Sequence, residues 1–435
     1  MDSGPVKIYS TEDAPRLRYI AGVVLGDILG LKWEVITDKR KLGKHPVINY
    51  SSESLSGSFK IIPDPVLFEK GISPKEIVIS EWKGLPVFFQ TTSDSDLPFD
   101  VFAASFFLVC RYEEYLDYAP DEYGRFQSTS SVASKNGFLR KPIIDLWAKE
   151  LAKAFLKRFP NIVFRRNEYK ALLTIDIDEP FAYLGKNLFR SMGGLLRDLK
   201  NNNGRAGERY KILSGKEKDP YEVFDYIIDR IETNNTDARF FFPVGDHSKY
   251  DKNPSWKNDK YRKLIQKIAG KYKSGLHPSF NAAVSLSLIN SEAARLKNII
   301  KEDILLSRFH YIRLFMSRSY QDLQKAGIIE DYSMGYPDEP GFRASIARPY
   351  YFYDVISDKA TNMRIFPFQV MDVTLFNYKK LDPEASRGVI SELINETRKV
   401  GGLFISIWHN TSLLNNPEWH YWREVFEFMV KNQTP

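Results

Sequence analysis

Ala171-Leu172-Leu173-Thr174-Ile175-Asp176-Ile177-Asp178 is an apolar run that breaks into two carboxylates. A short continuous apolar stretch of this kind reads as a buried strand, and the acids mark where it leaves the core. Other runs end in the same way. Ser274-Gly275-Leu276 meets His277, Leu305-Leu306-Ser307 leads to Arg308-Phe309-His310, and Leu403-Phe404-Ile405-Ser406-Ile407-Trp408 ends in His409-Asn410. A β/α barrel gathers its catalytic groups at one rim by this device, each strand delivering the residue at its C-terminal end.

The intervening sequence fits that reading. From about residue 168 apolar strand candidates alternate with amphipathic helices, which makes the expected class α/β with a parallel sheet or barrel over 166–435. A helix carrying Val223, Tyr226, Ile227 and Ile231 precedes the strand Arg239–Val244. A second runs from Ser291 past Leu296, Ile299 and Ile300 into a strand at Arg308–Tyr311. In a third, Asp382 is the N-cap, Pro383 occupies the first turn, Val389, Leu393 and Ile394 form the buried stripe, and Gly401-Gly402 stop it.

Residues 1–165 read as a smaller α/β unit. Pro15 to Trp33 is expected to be helical, Lys60-Ile61-Ile62 and Pro86–Phe89 to be short strands, and the apolar run Pro98–Leu116 to be helical on one face. Ile143–Arg158 closes the unit with Leu146, Leu151, Ala154 and Phe155 facing the core. No catalytic cluster is evident in it.

Composition sets the outer limits. The 435 residues are 43% hydrophobic and 14% aromatic, enough for a large core. The net charge of +7 comes from 62 basic and 55 acidic side chains, too slight an excess for a dedicated nucleic-acid surface. The lone Cys110, within Phe106-Phe107-Leu108-Val109, is expected to be a buried, inert thiol. Met1-Asp2-Ser3-Gly4-Pro5 lacks the basic and apolar regions of a signal peptide, and no run nears the ~20 apolar residues of a membrane span. The expected setting is cytoplasmic. Two basic stretches, Gly185–Pro220 and Ser248–Lys273, read either as solvated surface or as contacts to an anionic glycan, a membrane headgroup or a partner.

The chemistry lies in the strand-end residues. Two acids as close as Asp176 and Asp178 repel unless a cation or an arginine sits beside them. One could hold a divalent metal while the other serves as a general base, or the pair could mark a sheet edge facing water. His277 opens His277-Pro278-Ser279-Phe280-Asn281, whose ends could meet one cation, and His310 is a further nitrogen donor. Three of the six histidines fall at strand ends of one region.

The stretches TIDID (174–178), ARFFFPVG (238–245), LHPSFN (276–281), RFHY (308–311) and ISIWHN (405–410) resemble, in order and rough spacing, the successive motifs of the polysaccharide deacetylases, carbohydrate esterase family 4. The resemblance covers about 170–430, and residues 1–165 resemble the accessory N-terminal region of some Bacteroidetes members. It implies a distorted, NodB-like (β/α) barrel and zinc-dependent or similar metal-dependent hydrolysis of an N-acetyl group on a glycan or glycolipid precursor. It further implies that Asp176 is the general base, Asp178 and His277 hold the metal, Arg308 orients the base and His409 is the general acid. Three departures stand out. Ile177 separates acids that are adjacent in the family, which leaves open an exchange of the base and ligand roles between Asp176 and Asp178; Asn281 stands at the second metal histidine, and His310 replaces a proline, so that His310 becomes the expected third ligand. Asp331, Arg343 and Trp408 are further candidates for substrate contact. The competing expectation is an inactive carbohydrate-binding protein on the same barrel, with Asn281 as its main support.

Overall fold

In a computed structural model, residues 4–184, 205–414 and 419–434 are described. The stretch Gly185–Pro220 therefore falls largely outside the described residues. Four short parallel strands, β1 (Val6–Tyr9), β2 (Trp33–Ile36), β3 (Val47–Asn49) and β4 (Phe59–Lys60), form a first sheet in the order β2-β1-β3-β4. A hairpin follows, β5 (Ser80–Trp82) with β6 (Leu85–Val87). The single helix expected from Pro15 to Trp33 is shorter. It runs as an α-helix over Pro15–Ala21 and a π-helix over Gly22–Ile28, while Trp33 opens β2. The β-branched and aromatic run Trp33-Glu34-Val35-Ile36 favours a strand once the Gly30 turn, at positive φ, has ended the helix.

The second sheet positions the site. It contains β7 (Lys170–Asp176), β8 (Ala238–Phe242), β9 (Lys273–Leu276), β10 (Leu306–Ser307), β11 (Glu330–Asp331), β12 (Tyr350–Asp354), β13 (Lys359–Ile365), β14 (Val370–Met371) and β15 (Leu403–His409). Their order is β12-β13-β11-β10-β9-β8-β7-β15-β14, and every neighbouring pair is parallel except β12 with β13. From β7 to β11 each strand lies beside the next in sequence, as right-handed helical crossovers produce. The expected barrel region is a large, mostly parallel sheet, and among the described residues no ladder joins β14 to β12.

The strand expected over Arg308–Tyr311 ends earlier, at Ser307, and Tyr311 and Ile312 take positive φ. The helix expected from Ser291 starts at Leu286, capped by the Ser285 hydroxyl on the Leu288 N–H. The helix after Asp382 is as expected, spanning Pro383–Lys399.

Strand alternation decides which side chains face which layer. Leu172, Phe241, Met371, Ile405 and Ile407 pack in one apolar cluster. Leu173, Ile175, Phe240, Phe242, Phe404 and Trp408 belong to another, with the helices. By that period Asp176 and His409 share the face of the first cluster, and they stand opposite each other in the seven-residue β7–β15 register.

The second cluster also runs through the first 160 residues, from Val6 to Trp147 and Phe155. Ionic groups are buried along the same contact. Arg111 donates to Glu113 and Glu114, to the Tyr336 hydroxyl and to the Arg343 carbonyl. Arg343 in turn makes a two-point pair with Glu114, at 2.9 and 2.5 Å. Burial opposes ionisation of Glu114, but the two guanidinium groups more than offset it and hold its carboxyl below the usual range.

Removing one member of such a group strands the others without countercharge. Glu114→Ala is expected to lower stability by about 3–5 kcal/mol in a urea titration, with Glu114→Gln milder. A loss under about 1 kcal/mol would mean the network contributes no more than a surface pair.

Candidate metal centre and proton-transfer groups

The site forms where successive parallel strands run out. β7 ends at Asp176, β15 at His409, and the residues just beyond β9, β10 and β14 are His277, Arg308 and Asp372. Parallel strands all point their C-terminal ends the same way, so five residues scattered over more than 200 positions arrive at one edge.

Three ring nitrogens and a carboxylate converge. The Asp178 carboxylate meets His277 Nε2 at 3.2 Å, His310 Nε2 at 3.5 Å and His409 Nε2 at 3.7 Å. Each imidazole is anchored through its other nitrogen: His277 Nδ1–H donates to the Arg308 carbonyl (2.6 Å), His310 Nδ1–H to Asp251 (2.9 Å) and His409 Nδ1–H to Asp372 (2.7 Å). That anchoring turns every Nε2 toward Asp178.

Asp178, His277 and His310 fit a cation. Their donor atoms lie within 4.8 Å of one another, and ligands ~2.0–2.1 Å from a tetrahedral zinc stand about 3.3 Å apart. The decisive observation is that Asp178 Oδ1 and His277 Nε2 are buried and face each other at 3.2 Å with no hydrogen bond to any other group, His277 having already committed Nδ1–H to the Arg308 carbonyl. Buried polar atoms are seldom left this way, because each forfeits its hydration. Two nitrogens and one carboxylate oxygen, with the cavity on the remaining side, match a catalytic zinc-type donor set.

Asp176 belongs to a separate arrangement. Its Oδ1 accepts from Arg308 Nη1 at 2.8 Å, while Arg308 Nη2 donates to the Thr174 hydroxyl (2.7 Å) and Nε to the Tyr332 carbonyl (3.0 Å). The second oxygen, Oδ2, lies 4.0 Å from both His277 and His409.

Electrostatics divide the groups by role. Burial opposes ionisation of Asp178, yet the facing histidines overcome it and hold the carboxyl well below its usual range. Burial likewise opposes charging of His409, but Asp372, Asp178 and Asp176 outweigh it and push the imidazole up to about 10. His310 rises to about 9 against its own burial, through Asp178 and Asp251.

A cavity of about 460 Å³ opens onto these groups, within the range of small-ligand sites. Asp176, Asp178, His277, His310 and His409 form its reactive part, and Tyr123, Tyr311 and Tyr378 give it aromatic walls. Tyr123 comes from the first 165 residues, as do Glu122 and Arg125. Arg125 Nη1 holds the Tyr311 carbonyl at 2.7 Å, and Arg313 Nε holds the Tyr123 carbonyl at 2.9 Å. The part of the chain that shows no catalytic cluster in sequence thus supplies a wall of the cavity.

Other expected residues lie elsewhere. Asn281 is exposed and does not line the cavity, whereas His310 joins Asp178 and His277 in the donor cluster. Asp331 is buried under hydrogen bonds from Ser307 and Ser333, and Arg343 is the Glu114 partner. Trp408 faces the opposite layer from His409, its ring against Phe426 and its N–H on the Met429 sulfur. None of these three lines the cavity. Strand alternation already separates Trp408 from His409. Of the basic stretch 248–273, Asp251 reaches the site, whereas Lys257, Lys260 and Lys263 are exposed and outside it.

Asp251 and Asp372 carry no sequence signal of their own. Asp372 follows the two-residue β14, and Asp251 sits in a loop rich in lysine, so neither has a long apolar run to announce it.

A family model described only as a family of unknown function (DUF7033) matches residues 6–160. No curated protein matches the chain. Among solved structures, an assigned polysaccharide deacetylase from Mycobacterium smegmatis is 13% identical, with a TM-score of 0.39, over 63% of this chain and 88% of that one. A CE4 family pseudoenzyme from Bacillus anthracis is 9% identical, with a TM-score of 0.31, over 62% of each chain. A polysaccharide deacetylase from Bacillus cereus is 12% identical, with a TM-score of 0.29, over 61% of this chain and 86% of that one.

Two outcomes are expected in solution. Metal-stripped protein takes up about one zinc ion; His277→Ala and His310→Ala abolish uptake in a competition titration, Asp251→Asn weakens it about 10–100-fold, and Asn281→Ala leaves it unchanged. Equal uptake by all four variants would place the ion elsewhere. In the metal-free protein His409 titrates near 10, above its ordinary 6.5. Its contribution to stability is therefore full below about pH 6.5 and lost as pH rises through about 10. Asp372→Asn should bring the titration down, as followed by NMR of the imidazole; an unshifted curve would mean Asp372 does not hold the charge.

Proposed function

We propose that the chain is a metal-dependent hydrolase that removes N-acetyl groups from a carbohydrate, a glycan or glycolipid precursor, with zinc as the fitting metal. The observation that carries this reading is the pair of buried ligand atoms on Asp178 and His277, which face each other and no other hydrogen-bonding group, flanked by one carboxylate fixed by arginine and one histidine fixed by aspartate. The low-identity deacetylase structures are in keeping with it, and fold alone does not choose a reaction.

Asp178, His277 and His310 hold the ion, which when bound supplies Lewis acidity toward the acetamide oxygen and a more acidic water. Asp176 accepts the proton of the attacking water through Oδ2, the oxygen that Arg308 leaves free. Arg308 fixes that carboxylate in orientation through the bond to Oδ1. The water oxygen bonds to the acetyl carbon and the carbon–nitrogen bond breaks. His409 Nε2, charged because Asp372 stabilises its imidazolium, delivers a proton to the departing nitrogen, leaving acetate and an amine. Tyrosine rings along the cavity suit the apolar faces of a sugar, and the oxygen-rich walls suit its hydroxyls.

The reading of an inactive carbohydrate-binding protein rests on Asn281. Asn281 is exposed and does not line the cavity, and His310 offers the nitrogen that an asparagine lacks, which favours the hydrolase reading.

Asp176→Asn and His409→Ala are each expected to lower turnover of an N-acetylated chito-oligosaccharide roughly 10²–10⁴-fold with the fold retained by circular dichroism. The rate against pH is bell-shaped in the native protein, and each variant loses one limb. Acetate release by both variants at the native rate would overturn the assignment.

A further inference from the structure

At the other end of the large sheet, where its strands begin, lies a second cavity of about 630 Å³. Its rim carries Lys170 at the start of β7, Leu403 at the start of β15 and Arg364 on β13. It is separate from the deacetylase-type centre, which occupies the strands' C-terminal ends. Five cations line it, Arg165, Arg166, Lys170, Arg348 and Arg364, against two acids, Asp27 and Glu168.

The cations outnumber the acids, and Asp27 is the carboxylate that Arg348, Arg165 and Arg364 share electrostatically. Arg348 is committed to Asp145 at 2.6 Å. Among the described residues Arg165, Arg166 and Lys170 have no close ion pair or side-chain hydrogen bond, and Arg364 stacks on Phe366, 5.2 Å from the ring centre, with Asp27 acting on Arg165 and Arg364 only at longer range. A protein of net charge +7 gains nothing in stability by crowding cations into a hollow, since like charges there repel. The neighbouring hollow, which shares Arg165 and Arg166, adds Lys149, Lys153, Arg398 and Lys399 around Asp145.

The backbone keeps the mouth of the cavity clear. Gly401 adopts φ +59°, and a Cβ there would fall 2.3 Å from the Asn167 carbonyl oxygen; at Gly402 it would meet the Ala347 carbonyl at 2.5 Å. The turn entering β15 therefore passes tight against its neighbours with no side chain of its own. Arg165 is braced on the opposite side, its Cβ packed against Gly30 and its N–H bonded to the Leu29 carbonyl.

We infer that this cavity is a binding site for a phosphate-bearing ligand, free or as a lipid headgroup. Guanidinium groups offer paired N–H donors that match phosphate oxygens, and four of them border one concave space with a lysine, Arg348 alone being held in a close ion pair. The volume suits a small molecule or a headgroup rather than a duplex or a protein surface.

The test uses the full chain with inorganic pyrophosphate as probe in calorimetry, and sedimentation with vesicles of phosphatidylglycerol or of phosphatidylcholine alone. The expected result is saturable binding of about one pyrophosphate, weaker at about 300 mM than at about 50 mM salt as screening requires. Arg165→Gln with Arg364→Gln, both at exposed side chains, should weaken it at least about tenfold, while Lys260→Gln with Lys263→Gln leaves it unchanged. Sedimentation with phosphatidylglycerol alone, lost in the same arginine variant, identifies the headgroup as the source. Failure of both probes, or binding indifferent to the arginine substitutions, overturns the site. Acetate release does not enter this readout, so the result is independent of the proposed reaction.

Discussion

The buried guanidinium of Arg308 is the interaction on which the arrangement depends. It is fully enclosed, donates to Asp176, Thr174 and the Tyr332 carbonyl, and lies 4.5 Å from the centre of the Phe241 ring. One side chain from beyond β10 thereby ties β7, β8 and the segment after β11. A cation in this position is tolerable only with its donors satisfied, and Asp176 is tolerable only beside it. The Arg308 backbone does a second service, because its carbonyl receives His277 Nδ1–H and so turns His277 Nε2 toward Asp178.

Three chemically identical side chains acquire separate duties from what each Nδ1 meets. A backbone carbonyl leaves His277 without a counter-ion on that side, whereas carboxylates on His310 and His409 favour their charged forms while no metal is bound. His310 faces Asp178 at the donor cluster and His409 stands across from Asp176. Asp251 and Asp372 thus orient the imidazoles they touch, as outer carboxylates do at metal and acid–base sites.

The first 160 residues are built into the same core. Arg111, Glu114 and Arg343 close an ion network across the contact, Arg16 reaches Asp358 at 2.9 Å, and Tyr123 enters the cavity wall. Their contribution to the cavity fits a role in shaping what enters rather than in proton transfer.

The sequence by itself determined the strand ends. Apolar runs closing in Asp176, His277, Arg308 and His409 were legible because a buried parallel strand is largely continuous in its hydrophobicity, and the first ionisable residue marks where the strand gives way to the site. The helix from Pro383 to Lys399 was legible through its cap and its glycine stop. Only the tertiary structure decided the partners. Asp251 and Asp372 lie on short or irregular segments, and their roles follow from packing across the sheet rather than from local pattern. It also decided that Asn281 turns to solvent while His310 turns inward, since the chain after Ser307 leaves the strand for the positive-φ turn at Tyr311 and Ile312. Asp331, Arg343 and Trp408 show the same limit from the other side. Polar or aromatic character near a strand end names a residue that could serve a cavity, but burial, alternation and a nearer partner determine whether it does.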